Sequence, residues 1–149
     1  TPDVGELAFL ADEAAPHPFY TRGFILHREE KVPELVARAY EHSNAARWML
    51  VKGETDHLVS ARGVVETVSE PSVSAMEAMG GTGDPLTGLA AALTAGGFPV
   101  ERAAILAARA NRTAGFLAFP NPATQVLALI EHIPDALKQI SSKRIWVGQ

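Results

Sequence analysis

The residues best suited to chemistry form one run from Gly80 to Gly88, with the sequence GGTGDPLTG. Glycine leaves main-chain N–H groups open to a ligand, and N–H groups at the positive end of a helix bind anions such as phosphate. The carboxylate of Asp84 stands at the edge of this predicted anion site. Phosphoryl transfer needs donors for the transferring group and a base for the attacking hydroxyl, so the run fits that chemistry. The alternative is a glycine-rich turn that only caps a helix.

The pattern after the run predicts the helix that would orient these N–H groups. Asp84 suits the N-cap position, and Pro85 suits the first helical position because an N–H there would have no partner. Apolar residues follow with the i, i+3, i+4, i+7 spacing of an amphipathic helix: Leu86, Leu89, Ala90 and Leu93. The sequence therefore predicts a helix over residues 85–96 with its N-terminus at the anion site.

Two further polar side chains are candidates for binding a nucleotide. Lys52 ends the apolar run Trp48–Val51, which predicts a strand buried on both faces, and its ammonium could bind a phosphate as a point charge. Asn111 lies among small residues on a predicted helix, where its amide could bond the edge of an adenine or a ribose. Each residue has a simpler alternative, namely a strand-end lysine that reaches solvent and an asparagine that faces solvent.

Several segments, in the same order, resemble the NAD(P)H-hydrate dehydratases, a branch of the ribokinase-like superfamily. The run from Gly80 to Gly88 resembles the GTGD signature of the superfamily, and Thr1–Glu6 resembles a T-P-H-x-G-E segment of the branch. Trp48–Gly53 is similar to an apolar strand that ends in Lys-Gly, and Ala110-Asn111 to a helix flanking the nucleotide. Leu129–Pro134 is similar to the closing helix. The resemblance covers the second half of a family member.

The resemblance implies a role for each residue of the run. Asp84 would be the catalytic base, which takes the proton from a substrate hydroxyl as that oxygen attacks the γ-phosphate. Gly81, Thr82 and Gly83 would supply the N–H groups that hold the phosphate. ADP or ATP would be the nucleotide, and Mg²⁺ would bridge its phosphates, because such catalysis is mostly positioning and charge neutralisation.

Two segments concern the substrate side of the implied site. Glu6 matches the T-P-H-x-G-E segment and would line the substrate pocket, with capping of the first helix as the alternative. Asp3 replaces the histidine of that segment, and a carboxylate there would repel phosphates unless a cation intervenes. Val73–Glu77 stands where dehydratases carry Gly-Asn-x-Gly-Met, so we expect an altered substrate pocket.

Three functions follow from these matches and departures. The leading one is an ADP- or ATP-dependent dehydratase, in which the hydroxyl of the hydrate is phosphorylated and phosphate is then eliminated to restore the nicotinamide ring. The second is a small-molecule or sugar kinase with the same base, which the altered Val73–Glu77 segment favours slightly. The third is a non-catalytic nucleotide-binding or assembly domain, which the missing half of the family fold, Asp3 and the altered Val73–Glu77 segment favour.

Composition narrows the class of protein. A net charge of −4 without a basic stripe argues against a nucleic-acid partner. The absence of cysteine excludes disulfides and thiolate chemistry and is compatible with a cytoplasmic protein. No apolar run approaches the roughly 20 residues that span a bilayer. The five histidines show no metal-ligand spacing, so we expect no metal site made by protein ligands alone.

The elements that must position these residues indicate an α/β fold class with helices on a sheet. Helices are predicted over residues 5–13, 32–43, 85–96, 99–116 and 122–140, a strand over 48–51, a hairpin over 57–60 and 63–68, and loops over 14–20 and 70–79. The resemblance implies a ribokinase-like three-layer α/β/α fold. Residues 1–149 would form its C-terminal half as a single domain.

A half-fold would leave a sheet edge or an apolar face open, and open edges pair with other chains. We therefore expect a homo-oligomer, or a partner chain that supplies the N-terminal half. Since the chain begins at Thr1 and not at a methionine, we also expect a fragment, a trimmed chain or a processed product.

Overall fold

The computed structural model describes residues 1–12 and 32–142, apart from the side chain of Glu77. The chain divides into two compact units, one from Thr1 to Val68 and one from Ser69 onward. Each unit is described by itself below. The single domain expected over residues 1–149 stays a prediction.

The described residues of the first unit, 1–12 and 32–68, form two helices and a small sheet. Helix α1 spans Val4–Ala11 and helix α2 spans Val32–Glu41. Their apolar faces meet the sheet in one core, which removes apolar surface from water and so stabilises the unit. The buried members of this core are Leu7, Ala11, Val32, Val36, Ala39, Met49, Val51 and Val59.

The sheet is antiparallel, with the order β1-β2-β3. Strand β1 spans Met49–Val51, β2 spans Asp56–Ser60 and β3 spans Gly63–Val68. All residues of β1 are buried, as its continuous apolar sequence predicted. The predicted hairpin is confirmed, and its turn uses Gly63 at φ +96°, a conformation that suits glycine.

Two helices of this unit are shorter than predicted. Helix α1 ends at Ala11 instead of residue 13, because Asp12 has an extended backbone and its N–H donates to Ala8 O at 3.0 Å. Helix α2 ends at Glu41 instead of residue 43, because Ser43 adopts a left-handed φ of +59°. The loop predicted over residues 14–20 lies outside the described residues.

Helices make up the second unit. They are α3 (Ala75–Ala78), α4 (Gly83–Ala95), α5 (Val100–Leu117), α6 (Val126–Glu131) and α7 (Ile133–Ser142). Helix α5 is central and packs against α4, α6 and α7. Small side chains on α5 allow close helix packing, and those that are fully buried are Ala103, Ala107, Ala108, Ala110 and Ala114.

Two predictions about these helices were wrong. The predicted loop over residues 70–79 contains the short helix α3. The single helix predicted over residues 122–140 is two helices, because Pro134 lacks an N–H and its ring would clash with the preceding turn. The first of them begins at Val126 and not at 122, since Asn121 forms a turn in which its Oδ1 accepts from Ala123 N at 2.9 Å.

Helices and a small sheet within one chain agree with the expected α/β class. Over residues 1–12 and 32–142, no helix is both long and apolar enough to cross a membrane.

Candidate functional site

The glycine run lies in the second unit, where it connects α3 to α4. Gly81 has a φ of +87°, a left-handed conformation that residues with a Cβ rarely adopt. The chain then enters α4 at Gly83. Glycine at position 81 is therefore required by the backbone of the loop, in addition to leaving its N–H accessible.

Helix α4 begins earlier than the pattern predicted. Thr82 is its N-cap residue, so Asp84 is the second helical residue and Pro85 the third. The assignments of Asp84 to the N-cap and of Pro85 to the first position were wrong. Pro85 is tolerated at the third position because the N–H groups of the first turn have no partner within a helix.

Three N–H groups at the start of α4 remain open to a ligand. Asp84 N donates to Gly81 O at 3.1 Å, and the side chain of Thr82 makes no capping bond. Within the part of the chain that the structure describes, the N–H groups of Gly81, Thr82 and Gly83 donate to no other group. Consecutive open N–H groups at the positive end of a 13-residue helix favour an anion.

The side chain of Asp84 is exposed and lies close to the loop. A Cβ placed on Gly81 would lie 3.8 Å from Asp84 Oδ2, so the carboxylate is beside the α-carbon of Gly81. A carboxylate beside open N–H groups is the arrangement that a base for an attacking hydroxyl requires.

A groove of about 480 Å³ extends from this loop along α4. Gly81 and Asp84 form part of its lining, and the remaining walls come from α4, α6 and the start of α7: Pro85, Gly88, Leu89, Ala92, Val126, Ile130 and Ile133. The mostly apolar walls suit a ligand that has a flat apolar part and an anionic part. The sequence pattern does not distinguish the residues of these walls from core residues. Exposure in the structure does so, since Ile130 is 42% exposed.

Asn111 lies in α5 against the loop and is only 6% exposed, so the solvent-facing alternative is wrong. Its Nδ2 donates to Thr82 O at 3.1 Å. Its Oδ1 is buried and accepts no hydrogen bond from any described residue. The structure thus brings Asn111 to the glycine run through the main chain of Thr82. The predicted contact of Asn111 with an adenine or a ribose stays a prediction.

Lys52 and Glu6 lie together in the first unit. Lys52 Nζ is 3.2 Å from Glu6 Oε2 and donates to Thr1 O at 2.6 Å. Lys52 N donates to Pro2 O at 2.9 Å, so the start of the chain runs parallel to the end of β1. The Lys52 ammonium is therefore already paired with a carboxylate. Its predicted contact with a phosphate stays a prediction.

Asp3 and Glu6 form a capping box at the start of α1. Glu6 N donates to Asp3 Oδ1 at 2.8 Å, and Asp3 N donates to Glu6 Oε2 at 2.7 Å. Asp3 is thus explained as a helix cap, and the sequence carried the signal, an Asp followed three residues later by a Glu. The capping alternative for Glu6 is confirmed, whereas its contact with a substrate stays a prediction.

The pKa of Glu6 is lowered. Partial burial raises this pKa, but the hydrogen bond from Asp3 N and the positive charge of Lys52 outweigh the burial. Both favour the ionised carboxylate, so the cap and the ion pair support each other.

No cluster of three or more His, Cys, Asp or Glu side chains among the described residues could hold a metal ion by itself. Mg²⁺ that binds through nucleotide phosphates needs only one or two protein carboxylates. Asp84 provides one carboxylate near the open N–H groups.

Open N–H groups, an adjacent carboxylate and a mostly apolar groove together define a candidate nucleotide-phosphate site on an α/β protein. The sequence profile of the NAD(P)H-hydrate dehydratase family matches residues 1–137, so the chain belongs to that family. The resemblance inferred from the segments is thereby confirmed.

One relative is the uncharacterized protein MJ1337 of Methanocaldococcus jannaschii, which is 45% identical over 138 residues. The alignment covers 92% of this chain and 59% of the relative, so the chain spans less than two thirds of that relative's length. No solved structure matches the chain.

Proposed function

We propose that this chain carries the nucleotide-binding part of an ADP- or ATP-dependent NAD(P)H-hydrate dehydratase with a ribokinase-like three-layer fold. The family match over residues 1–137 supports this class of function. The observation that carries the proposal is the position of Asp84 Oδ2, close to Gly81 and beside the open N–H groups of residues 81–83.

The site fits a nucleoside di- or triphosphate in two respects. The open N–H groups of Gly81, Thr82 and Gly83 offer donors to a terminal phosphoryl group at a helix N-terminus. The groove along α4 offers apolar walls to the base and the ribose. Mg²⁺, when bound, would neutralise charge on the phosphates, with Asp84 as the nearby protein carboxylate.

In the proposed reaction, Asp84 acts as the base. Its carboxylate takes the proton from the hydroxyl of the hydrate as that oxygen forms a bond to the terminal phosphorus. The bond between that phosphorus and the bridging oxygen breaks, and the shortened nucleotide leaves with the electron pair. The N–H groups of residues 81–83 stabilise the charge on the transferring oxygens, which is the dominant contribution in such sites.

The first step turns the hydroxyl into a phosphate ester, which is a good leaving group, and the second step eliminates that group. Inorganic phosphate departs with the electron pair of the carbon–oxygen bond, the ring loses a proton, and the double bond of the nicotinamide ring is restored. Atoms and charge balance, because the hydroxyl oxygen of the hydrate leaves within the phosphate.

Calorimetric titration tests the binding part of this proposal. ADP and ATP should bind, and adenosine should bind more weakly because it lacks the phosphates that the open N–H groups hold. Asp84→Asn should bind ADP at least as tightly in Mg²⁺-free buffer, since it removes a negative charge beside the phosphates. The absence of ADP and ATP binding to the wild-type chain would contradict the proposal.

Turnover tests the assignment of the base. In a protein that contains the complete fold, Asp84→Asn should lower the rate at which NADH is recovered from its hydrate by roughly 10² to 10⁴, the range for loss of a general base. An unchanged rate in this variant would remove Asp84 from the reaction.

A small-molecule kinase is the second candidate, and one observation favours it. Met76 lies in the segment that departs from the dehydratase pattern, and it packs against the buried cluster of Leu129, Ala114 and Ala136. Product analysis separates the two functions, because a kinase leaves a phosphorylated product whereas a dehydratase releases inorganic phosphate.

A further inference from the structure

The side chain of Asn111 is placed in a way that stability does not explain. It is 94% buried in α5, yet Nδ2 makes one hydrogen bond, to Thr82 O, while Oδ1 accepts none from the described chain. A buried acceptor without a donor lowers the stability of the fold by about 1–3 kcal/mol, so an apolar residue of the same shape would be more favourable at this position. An amide at this position therefore points to a role for its single hydrogen bond.

That hydrogen bond acts on the peptide unit between Thr82 and Gly83. The carbonyl of Thr82 and the N–H of Gly83 belong to the same rigid plane and point in opposite directions across a trans peptide bond. A donor that holds Thr82 O therefore also fixes the direction of the Gly83 N–H. This N–H is one of the open groups at the start of α4.

The loop needs such a restraint for two reasons. Gly81, at φ +87°, and Gly83 both lack the Cβ that limits backbone freedom in other residues. The Thr82 side chain makes no capping bond. The bond from Asn111 joins the loop to the long helix α5, which packs tightly against α4 and α7.

We propose that Asn111 is a positioning residue, which holds the Thr82–Gly83 peptide so that the Gly83 N–H is directed at the terminal phosphate of a bound nucleotide. This inference rests on the proposed function, because it assigns a purpose to a donor of that same phosphate site. It gives Asn111 a part in nucleotide binding that requires no contact with the base or the ribose.

Two substitutions test the role of the amide. Asn111→Leu keeps the size of the side chain and removes both polar atoms, and Asn111→Asp keeps the shape but replaces the donor with an acceptor. Both should weaken ADP binding roughly tenfold or more by calorimetry, which corresponds to about 1.4 kcal/mol. Asn111→Leu should nevertheless melt at a temperature no lower than that of the wild-type chain. Weaker ADP binding without a loss of thermal stability is a result that a merely structural role would not give.

The matched control is Thr94→Val, which removes another side-chain hydrogen bond to main chain in the same unit, from Thr94 Oγ1 to Ala90 O at 2.8 Å. That bond lies in the last turn of α4, far along the helix from its N-terminus, so ADP affinity should stay within twofold of the wild-type value. A loss of affinity in this control equal to that of the Asn111 variants would overturn the proposal.

Amide NMR of the wild-type chain gives a second measurement that does not depend on the variants folding. Addition of ADP should shift the Gly83 amide and the Asn111 Nδ2 protons together. Failure of the wild-type chain to bind ADP would overturn the proposed function and this inference with it. Binding with a shifted Gly83 amide but unmoved Asn111 protons, or normal affinity in Asn111→Leu, would overturn the inference alone.

Discussion

The backbone of Gly81 sets the direction in which the open N–H groups of the loop point. Its left-handed φ of +87° precedes the helical dihedrals of Thr82, and the turn is closed by the bond from Asp84 N to Gly81 O. The backbone conformation of Gly81, Thr82 and Asp84 therefore determines whether a phosphate can reach the start of α4.

Gly81→Ala should therefore affect both stability and binding. A Cβ in the left-handed region costs roughly 1–2 kcal/mol, and relaxation of the loop would turn the N–H groups away from a ligand. We expect a lower free energy of unfolding in urea and weaker ADP binding.

Gly97→Ala is the matched control for that experiment. Gly97 has a similar φ of +95°, and a Cβ there would meet no atom within 4 Å. It should lose similar stability without a change in ADP affinity. Equal losses of affinity in the two variants would show that the effect of Gly81→Ala is not local to the loop.

The ion pair and cap around Glu6 predict a pH dependence of stability. Because the folded-state pKa of Glu6 lies below its ordinary value of 4.5, its contribution is fully present above that value and is lost as the pH falls through the lowered pKa. Its side chain is 61% exposed, so solvent screening limits the effect to at most about 1 kcal/mol.

Glu6→Gln should accordingly lower the free energy of unfolding near neutral pH, and the difference from wild type should shrink in acid. In the Lys52→Met background, the same substitution should show a smaller pH-dependent difference, because one of the charges that lowers the pKa is gone. Urea unfolding over a pH series measures both. A difference that grows in acid would contradict the assigned sign.

The sequence predicted part of the candidate site. The other assignments depend on contacts that only the structure shows. The glycines and Asp84 were predicted from the sequence because a glycine-rich run before an acidic residue and a helical pattern is recognisable; their roles in a site stay predictions. The bond from Asn111 to Thr82 O leaves none, since 29 residues separate the partners and the acceptor is main chain. The roles of Lys52 and Glu6 as partners in an ion pair likewise depend on the fold of the first unit.

Among the elements, α3 makes a close contact with α5 where Met76 meets Gly115. A Cβ placed on Gly115 would overlap Met76 Sδ and lie 2.7 Å from its Cε, so the helix turn that precedes the glycine run packs where α5 lacks a side chain. The identity of Gly115 thus bears on the position of the chain that leads into the site.

A double-mutant cycle tests this contact. Gly115→Ala gains up to about 1 kcal/mol of helix propensity but must displace Met76, whereas in the Met76→Ala background the displacement is absent. The substitution should therefore be more favourable in that background by at least about 0.5–1 kcal/mol, measured by urea unfolding. Additive effects of the two substitutions would show that they do not meet.

Helices and strands with regular apolar spacing were predicted well, and their ends were not. The strand ending at Val51 and the hairpin agree with the structure, since β1 is buried throughout, as its apolar run predicts, and β2 pairs with β3 across the predicted turn. Burial does not alternate along the hairpin, because β2 is mostly buried and β3 is mostly exposed. The break before Pro134 and the turn at Asn121 were missed because the apolar pattern continues through both. The proline ring causes the break, and the bond from Ala123 N to Asn121 Oδ1 forms the turn.

At the scale of the whole molecule, strand β1 has an edge that β2 does not cover. It stands at one end of the order β1-β2-β3, and all of its residues are buried. Among the residues that the structure describes, the further main-chain pairing beside β1 is the bond from Lys52 N, just past the strand, to Pro2 O. The relative that matches the chain is also longer, since the alignment covers 59% of it. We propose that a second copy, or a chain corresponding to the remaining part of such a relative, completes this sheet.

Light scattering tests that proposal on the intact chain. We expect a mass above the 15.9 kDa of one copy, or a defined complex after addition of the complementary part of the longer relative. A cooperatively unfolding monomer that binds no complementary chain would contradict it.

The most direct test of the central claim is an amide NMR titration of the ¹⁵N-labelled chain with ADP. If the N–H groups beside Asp84 hold the terminal phosphate, the largest shifts should fall on Gly81, Thr82 and Gly83, and adenosine should not reproduce them. Binding of ADP that leaves these three amides unmoved would contradict the account.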